Sequence, residues 1–284
     1  MGATFCNPLT SRTLTGGECG RRGEFVLDLA ETMTQPEGLD TVGRFSDRAA
    51  DYVRYRPSYP PAAVDSILEG LGSPGHLTVA DIGAGTGISA RLIGDRGARV
   101  IAVEPGEGMR SAAAPHDNVV WVAGRAEATG LRAQTVDVVL CAQSFHWFSP
   151  PAVLPELARI LRPGGRLAIM WNRRSKSDPL TAGYRQAIVD VGGEIAVERM
   201  DFDPGVVAES GLFSPPDRLA FPNVQRLTLE GLIGRARSAS YVPKTGEEGQ
   251  RLLDLLRALH VQYADADGFV DLVYETEVFR SVAR

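Results

Sequence analysis

The chain has 284 residues, of which 44% are hydrophobic and 23% are charged, and a formal net charge of −5, values that are ordinary for a soluble globular protein. The acidic balance provides no basic surface overall, which argues against nucleic acid or an anionic membrane as the partner, and no apolar run approaches the ~20 residues that span a bilayer. The N-terminus lacks the charged start and apolar core of a signal peptide, and the three cysteines, Cys6, Cys19 and Cys141, lack the spacing of metal ligands, so we expect a cytoplasmic protein without a metal centre.

The N-terminal region differs from the rest of the chain in its composition. Residues 1–40 are rich in Gly, Thr, Arg and Glu and show little hydrophobic periodicity. Such a segment cannot bury enough apolar surface to offset the entropy of ordering, so we predict a disordered or loosely held extension. Residues 41–284 are predicted to form a single domain, in which a helical lid at about 45–60 precedes the first strand and a cap of helices and strands occupies about 178–284.

Tyrosine and arginine side chains crowd the predicted lid. Tyr52, Tyr55 and Arg56 lie in a stretch whose apolar residues recur at helical spacing, and Pro57 ends that helix. One interpretation is an amphipathic helix that packs on the edge of the sheet. The other is a lid in which tyrosines face the cofactor or substrate and Arg56 binds a carboxylate. The sequence leaves both open, and Tyr52 and Arg56 are the predicted cofactor contacts of this segment.

The stretch Leu77–Ile93, LTVADIGAGTGISARLI, joins a short apolar strand, a glycine-rich turn and the start of a helix. This unit opens nucleotide-binding α/β domains, because glycines allow a sharp turn and the close approach of a ligand. The spacing differs from the dinucleotide fingerprint G-x-G-x-x-G, and an acid precedes the turn, where it would repel a phosphate and attract an ammonium group. The arrangement resembles motif I of the class I S-adenosylmethionine methyltransferases. The predicted cofactor residues here are Asp81, Gly83, Ala84, Gly85, Thr86 and Gly87.

Two further strand ends are predicted to meet the cofactor. Ala98–Val103 is an apolar strand that ends at an acid, and an acid at this position accepts hydrogen bonds from a ribose diol. NAD enzymes share that feature, so the acid does not separate the two cofactors. The loop after the third strand, Asn118–Val122, meets the adenine in S-adenosylmethionine enzymes, although a solvated surface acid is the alternative at both loops. The predicted cofactor residues of these loops are Glu104, Pro105, Met109, Ala126 and Glu127.

The fourth predicted strand ends in a cluster of aromatic residues. Val136–Ala142 is a near-continuous apolar run, as expected for a central parallel strand, and Gln-Ser-Phe-His-Trp-Phe follows it. Open α/β sheets bind ligands at the carboxyl ends of their strands, so these side chains are candidates for the site. Packing onto the next helix is the alternative, and we expect it for Phe148. The residues predicted for the site are Gln143, Ser144 and Phe145 at the cofactor and His146 and Trp147 at the reaction centre.

The rest of the chain continues the alternation of strands and helices. Pro150–Leu161 is predicted as a helix and Leu167–Trp171 as the fifth strand, with the catalytic candidate Arg173 just past its end. This order predicts an α/β fold with a doubly wound, mostly parallel sheet. Alternation in Gly268–Val282 predicts an antiparallel last strand with one wetter face, which includes Glu277. Between these elements we expect helices over 178–215, 229–237 and 247–264 and a sixth strand over 218–229.

Several motifs together resemble the class I methyltransferases of the type 11 kind: DIGAGTG, the Glu104-Pro105 pair, GRAEATG, QSFHWF and LRPGGRLAI. DYVRYRPSYP, FHWF and ARSASYVPK resemble the trans-aconitate methyltransferase-like branch. The resemblance implies a seven-stranded Rossmann-like fold with an antiparallel last hairpin, S-adenosylmethionine as cofactor and a small-molecule acceptor, and it places Tyr241 over the same site. The motif of amino-group methylating enzymes, Asn or Asp followed by Pro-Pro and an aromatic residue, is absent, which disfavours methylation of protein or nucleic-acid amines.

Methyl transfer from a sulfonium is an in-line displacement, to which an enzyme contributes largely by holding the reactants together and excluding water. A carboxylate acceptor needs no base and would be positioned by Arg56 or Arg173, whereas a hydroxyl needs one, and His146 is the candidate. His146 is otherwise a positioning or packing residue. We expect a monomer or weak homodimer that methylates an oxygen of an anionic or conjugated metabolite. A nicotinamide-dependent oxidoreductase, or an S-adenosylmethionine-binding protein without transferase activity, is the alternative.

Overall fold

The computed structural model describes four stretches of the chain, residues 54–192, 203–239, 242–243 and 245–284. The extension predicted for residues 1–40 lies outside these stretches, and so do Tyr52 of the predicted lid and Tyr241. Of the lid segment, the structure describes the part that begins at Arg54.

Seven strands form a single sheet. In chain order they are β1 (Thr78–Ile82), β2 (Arg99–Val103), β3 (Val119–Val122), β4 (Val136–Ala142), β5 (Leu161–Arg174), β6 (Asp217–Leu227) and β7 (Val270–Val282). Across the sheet their order is β3-β2-β1-β4-β5-β7-β6. The first five strands run parallel, and β7 is antiparallel to both β5 and β6. The prediction of a doubly wound, mostly parallel α/β sheet with an antiparallel last strand is therefore confirmed.

Helices cover both faces of this sheet. The described helices are α1 (Pro61–Leu68), α2 (Ile88–Gly94), α3 (Glu107–Ser111), α4 (Pro150–Ile160), α5 (Pro179–Gly192), α6 (Gly205–Glu209), α7 (Leu229–Arg237) and α8 (Gly246–Tyr263). One core cluster joins α1 and α2 to one face of the sheet, and a second joins α4 and α6 to the other. Strands covered on both faces read as continuous apolar runs, which explains the pattern of β4. Within the described stretches, no helix is long and apolar enough to cross a membrane.

A third core cluster lies above the carboxyl edge of the sheet. There α5, α7 and α8 pack around the end of β6 and the beginning of β7, with the buried Tyr184, Leu232, Leu256 and Leu272 among its members. We call these three helices the helical cap. The cap thus has its own apolar centre. The end of β6 and the beginning of β7, which pack in this centre, extend beyond the parallel part of the sheet.

The fifth strand is longer than the sequence predicts. It runs through Leu161–Arg174 rather than Leu167–Trp171, so Arg173 lies within the strand and not past its end. The reason is the pairing with β7, which continues along β5 from Arg166 to Arg174. A backbone ladder of this length stabilises strand residues whose own sequence gives no apolar signal.

The wetter face predicted for the last strand is wrong at Glu277. Its side chain is only 7% exposed, because two arginines of neighbouring strands enclose it. Asp271 and Glu275 on the same face are exposed, as predicted. This face of β7 therefore changes from solvated to buried along the strand. The alternation of apolar and polar residues in the sequence does not predict such a change.

Candidate functional site

The glycine-rich turn brings backbone to the surface where a side chain would not fit. Gly83, Gly85 and Gly87 have φ angles of 69°, 57° and 77°, in the left-handed region. A Cβ added at Gly83 would lie 2.7 Å from Cβ of Ser144, and one at Gly87 would lie 2.8 Å from the ring of Trp121. Both the conformation and the space therefore require glycine at these two positions.

Asp81, at the end of β1, is a buried carboxylate with only 1% of its surface exposed. Ser89 donates a hydrogen bond of 2.6 Å to its Oδ2. Burial, and to a smaller extent the nearby carboxylate of Glu104, raises the pKa of Asp81 to about 7 despite the lowering effect of the Ser89 hydrogen bond. A cation beside this carboxyl would favour its ionised form.

Glu104 holds the turn from the end of β2. Its Oε2 accepts a hydrogen bond of 3.0 Å from the N–H of Gly85, and its Oε1 accepts one of 2.8 Å from the N–H of Gly106. Burial raises the pKa of Glu104, while these two hydrogen bonds lower it. Each oxygen retains a second lone pair, so the carboxylate can also accept from ribose hydroxyls. Beside it, Pro105 is exposed and Met109 is buried.

The residues after β4 divide between structural and site roles. Gln143 has a φ of 54°, and its Nε2 donates to the carbonyl of Asn172 at 3.2 Å. Ser144 donates to the carbonyl of Ile82 at 2.7 Å, which ties the ends of β4 and β1 together. The ring of Phe145 lies in the core. The Ser144 hydroxyl is thus engaged with backbone and Phe145 packs in the core, and the cofactor roles predicted for both stay predictions.

His146 lies between two tryptophans at the carboxyl edge. Its ring centroid is 4.6 Å from that of Trp147 and 4.9 Å from that of Trp171, the latter in an edge-on arrangement. Burial, with the positive charge of Arg56 as a smaller second cause, lowers the pKa of His146 to about 4, so the imidazole is neutral at pH 7. Trp147 is 51% exposed and forms an open aromatic wall.

The described end of the lid segment is held against the sheet by hydrogen bonds. The carbonyl of Ser58 accepts from Nδ2 of Asn172 at 3.2 Å and of Asn223 at 3.0 Å, and Arg56 donates to the carbonyl of Ser238 at 3.4 Å. Together with the glycine turn, this segment encloses a cleft of about 30 Å³. The cleft is lined by Arg56, Pro57, Tyr59, Gly83, Ala84, Ile88, Ser89, Ala142, Gln143 and Asn172.

The loop after β3 is anchored from helix α4. Oε1 of Glu156 accepts from the N–H of Thr129 at 2.8 Å and from its hydroxyl at 2.6 Å, while Arg159 donates to the same carboxylate. These hydrogen bonds fix the loop that carries the buried Ala126 and the exposed Glu127. The roles predicted for Ala126 and Glu127 toward an adenine stay predictions.

Arg173 belongs to a group of charges that sequence reasoning missed. Its Nε donates to Oε2 of Glu277, and its side chain is 38% exposed. Arg218 donates to the other oxygen of Glu277 at 2.9 and 2.6 Å, and also to Glu275 at 2.8 Å. The only sequence signal was a polar face on a strand, which indicates solvent rather than a buried carboxylate. Arg173 is therefore a held side chain and not a loose one past a strand end.

Four buried polar side-chain atoms that have no hydrogen-bond partner among the described residues lie near the ends of β1 and β4 or in the turn between strand and helix. Such atoms cost about 1–3 kcal/mol each if they stay unpaired, so their grouping indicates a polar ligand. The four are Asp81 Oδ1, Thr86 Oγ1, Gln143 Oε1 and His146 Nδ1. No set of three or more metal-ligating side chains occurs within the part of the chain that the structure describes.

Known proteins that resemble this chain are methyltransferases. A family model described as a methyltransferase domain matches residues 80–169. An uncharacterized methyltransferase of Mycobacterium tuberculosis is 35% identical over 253 residues, covering 84% of this chain and 94% of the relative. An uncharacterized methyltransferase-like protein of Schizosaccharomyces pombe is 31% identical over 252 residues, with the same shares covered. A solved structure from Anaeromyxobacter dehalogenans, named as a type II methyltransferase, gives a TM-score of 0.54 at 25% identity and covers 81% of this chain and 98% of that one.

Proposed function

Because the chain belongs to the class I methyltransferase family, we propose that it transfers a methyl group from S-adenosylmethionine to an oxygen of a small anionic or conjugated molecule. The observation that carries this proposal is the group of unpartnered buried polar atoms around the glycine turn. The trans-aconitate-like branch remains part of the proposal, because the relatives support the family without its finer division.

The residues around the turn fit this cofactor better than a dinucleotide. Asp81 and Glu104 place two carboxylates where a pyrophosphate would be repelled. The unpartnered oxygen of Asp81 suits the α-ammonium group, Glu104 suits the ribose diol, and Gly83 lets the backbone approach closely. Bound S-adenosylmethionine supplies a methyl group that is activated on a sulfonium. The chain itself holds the two reactants together and excludes water.

The state of His146 favours a carboxylate among the oxygen acceptors. A carboxylate is ionised at pH 7 and needs no base, whereas a hydroxyl must lose a proton as it is methylated. With a pKa of about 4, neutral His146 is a weak base, although its unpartnered Nδ1 can accept a hydrogen bond and orient an acceptor. The exposed ring of Trp147 beside the imidazole provides an aromatic wall for a conjugated body, while the buried Trp171 supports the imidazole.

Calorimetry with S-adenosylhomocysteine tests the cofactor assignment. We expect binding to the wild-type protein, and a loss of about 10- to 150-fold in Glu104→Gln, because a charge-assisted hydrogen bond contributes about 1.5–3 kcal/mol. Glu107→Gln is the matched control, since Glu107 is an exposed acid in the adjacent helix. Affinity that is equal in both variants would overturn the ribose assignment, and binding of NADH in place of S-adenosylhomocysteine would favour the oxidoreductase.

Labelled S-adenosylmethionine and a panel of carboxylic acids, phenols and alcohols test the acceptor. Methyl esters release labelled methanol on alkaline treatment, whereas methyl ethers do not, so the product identifies the methylated atom. We expect base-labile label. Base-stable label would point to a hydroxyl acceptor with His146 as the base. Cofactor binding without turnover on any acceptor would favour a binding protein that lacks transferase activity.

A further inference from the structure

A second cavity lies on the C-terminal half of the sheet, outside the residues assigned so far except Arg173. It has a volume of about 460 Å³, within the range of about 300–1,000 Å³ that small-molecule sites occupy. We call it the C-terminal groove. Its lining comprises Arg173, Arg174, Ser175, Lys176, Ala220, Phe221, Pro222, Val273, Tyr274 and Glu275.

The groove combines positive charge with apolar surface. Three of its lining residues are cationic and one is acidic, and the acid, Glu275, already pairs with Arg218 outside the groove. Lys176 is exposed and forms no ion pair or hydrogen bond with the described residues. Pro222, which is on the same face of the sheet as Arg173, supplies apolar surface beside these charges. A ligand that matches the groove therefore has an anionic group and an apolar body.

Glu277 fixes the position of Arg173 at this groove. The carboxylate of Glu277 is buried between Arg173 and Arg218, each of which donates to one of its oxygens. A buried carboxylate is tolerated only when its charge is paired and its oxygens are bonded, and the same pairing restricts the guanidinium of Arg173 to one orientation. Glu277 and Arg218 are thus positioning residues that act through Arg173.

The groove begins two residues along β5 from the tryptophan that packs against His146. Trp171 and Arg173 are alternate residues of β5, so they point to the same face of the sheet, about 7 Å apart along the strand. The ring of His146 packs on Trp171, with centroids 4.9 Å apart. Arg173 at the groove is therefore two residues along β5 from Trp171, the buried ring against which His146 packs.

We propose that the C-terminal groove binds the part of the methyl acceptor remote from the methylated oxygen, and that this part carries a carboxylate, sulfonate or phosphate on an apolar body. Arg173 and Lys176 contact the anionic group, and Pro222 contacts the apolar body. The identification of this ligand as the acceptor rests on the proposed function. The preference of the groove for amphipathic anions does not.

Two fluorescent probes with the same aromatic framework test this preference. 8-Anilinonaphthalene-1-sulfonate carries a sulfonate, and N-phenyl-1-naphthylamine is its neutral counterpart. We expect the wild-type protein to bind the anionic probe more tightly, and Lys176→Met and Arg173→Met each to weaken the anionic probe about tenfold while the neutral probe is unchanged. Arg132→Met is the control, because Arg132 is an exposed cation outside the groove.

Lys176→Met tests the groove without the risk of misfolding that Arg173→Met carries, because an exposed side chain without described partners is not needed for folding. Unchanged affinity for the anionic probe in this variant and in Arg173→Met would overturn the proposal. For the positioning role, Glu277→Gln should weaken the anionic probe and Glu277→Asp should restore it in part, with the neutral probe constant in both. Calorimetry of Lys176→Met with S-adenosylhomocysteine should give wild-type affinity. If the wild-type protein does not bind S-adenosylhomocysteine, the proposed function is disproved. The probe affinities would still decide whether the groove prefers amphipathic anions.

Discussion

The two halves of the sheet differ in how they can recognise a ligand. Strands β1 to β4 are short, with 4 to 7 residues, and they end in backbone turns and buried acceptors around a cleft of about 30 Å³. Strands β5, β6 and β7 have 14, 11 and 13 residues and carry charged side chains around a groove of about 460 Å³. The first half can recognise a ligand by close backbone approach, and the second by charge and shape.

This difference matches the reach of the family model, which ends at residue 169, before the groove begins. The family model therefore bears on the half that carries the glycine turn, whereas the relatives align with both halves. We call β1 to β4 with their loops the cofactor half, and β5 to β7 the acceptor half, after the ligands proposed for them. If the division is correct, substitutions in one half should change the binding of one ligand and spare the other.

The largest effect is expected from Gly83→Ala. The new Cβ would occupy a left-handed conformation and lie 2.7 Å from Ser144, so we expect a loss of more than 100-fold in affinity for S-adenosylhomocysteine and a destabilisation of roughly 2–4 kcal/mol. Gly97→Ala is the control: Gly97 has a φ of 90° but open space around it, so only conformational strain of about 1–2 kcal/mol remains. Calorimetry and urea unfolding measure both, and equal effects would disprove the steric account.

The second largest effect is expected from the titration of Asp81. Its pKa in the free protein is about 7, and an ammonium ligand binds the ionised form, so a proton must leave below that pH. Affinity for S-adenosylhomocysteine should be full above about pH 7 and fall as pH decreases, approaching tenfold for each further pH unit. Asp81→Asn should bind weakly at every pH and lose this dependence. Calorimetry from pH 5.5 to 8 tests it, and a flat wild-type profile would contradict the ammonium pairing.

The third largest effect is expected from a substitution at Glu156. Its hydrogen bonds with Arg159 and Thr129 hold its pKa below the usual value despite burial, so its contribution to stability is present above pH 4.5 and is lost as pH falls through the lowered pKa. Glu156→Gln should destabilise by about 1–2 kcal/mol at pH 7 and weaken cofactor binding a few-fold. The exposed Glu248→Gln should change stability by less than about 0.5 kcal/mol. Urea unfolding at pH 7 and at a pH well below the lowered pKa compares them, and a difference that persists at the lower pH would contradict the electrostatic account.

The smallest effect on the cofactor half is expected from Trp147→Ala. Because Trp147 is 51% exposed, its removal should leave the affinity for S-adenosylhomocysteine within about twofold and stability within about 1 kcal/mol. The acceptor KM should rise instead, once an acceptor is in hand, since the open aromatic wall is lost. Calorimetry measures the cofactor affinity and initial rates measure the acceptor KM. A large loss of cofactor affinity would show that Trp147 contributes to cofactor binding rather than to acceptor binding.

Local patterns predicted the cofactor half well. The apolar run of β4 and the spacing from Asp81 to Gly87 are contained in short stretches, and the strands and the turn lie where the sequence puts them. The acceptor half depends on contacts that are distant in sequence. Glu277 is bonded to Arg218, 59 positions away, and to Arg173, 104 positions away, and no periodicity connects them. The length of β5 is set in the same way by β7.

The position of β7 in the sheet also constrains the order of folding. Arg280 in this strand donates to the carbonyl of Ser66, 214 positions earlier, and β7 itself fills the gap between β5 and β6. During synthesis β6 therefore emerges well before the strand that joins it to the sheet. Until then the 14-residue β5 presents an unpaired backbone edge, which is the state in which aggregation competes with folding. Pairing distant strands is slow, so we expect completion of this edge to be a late step in folding.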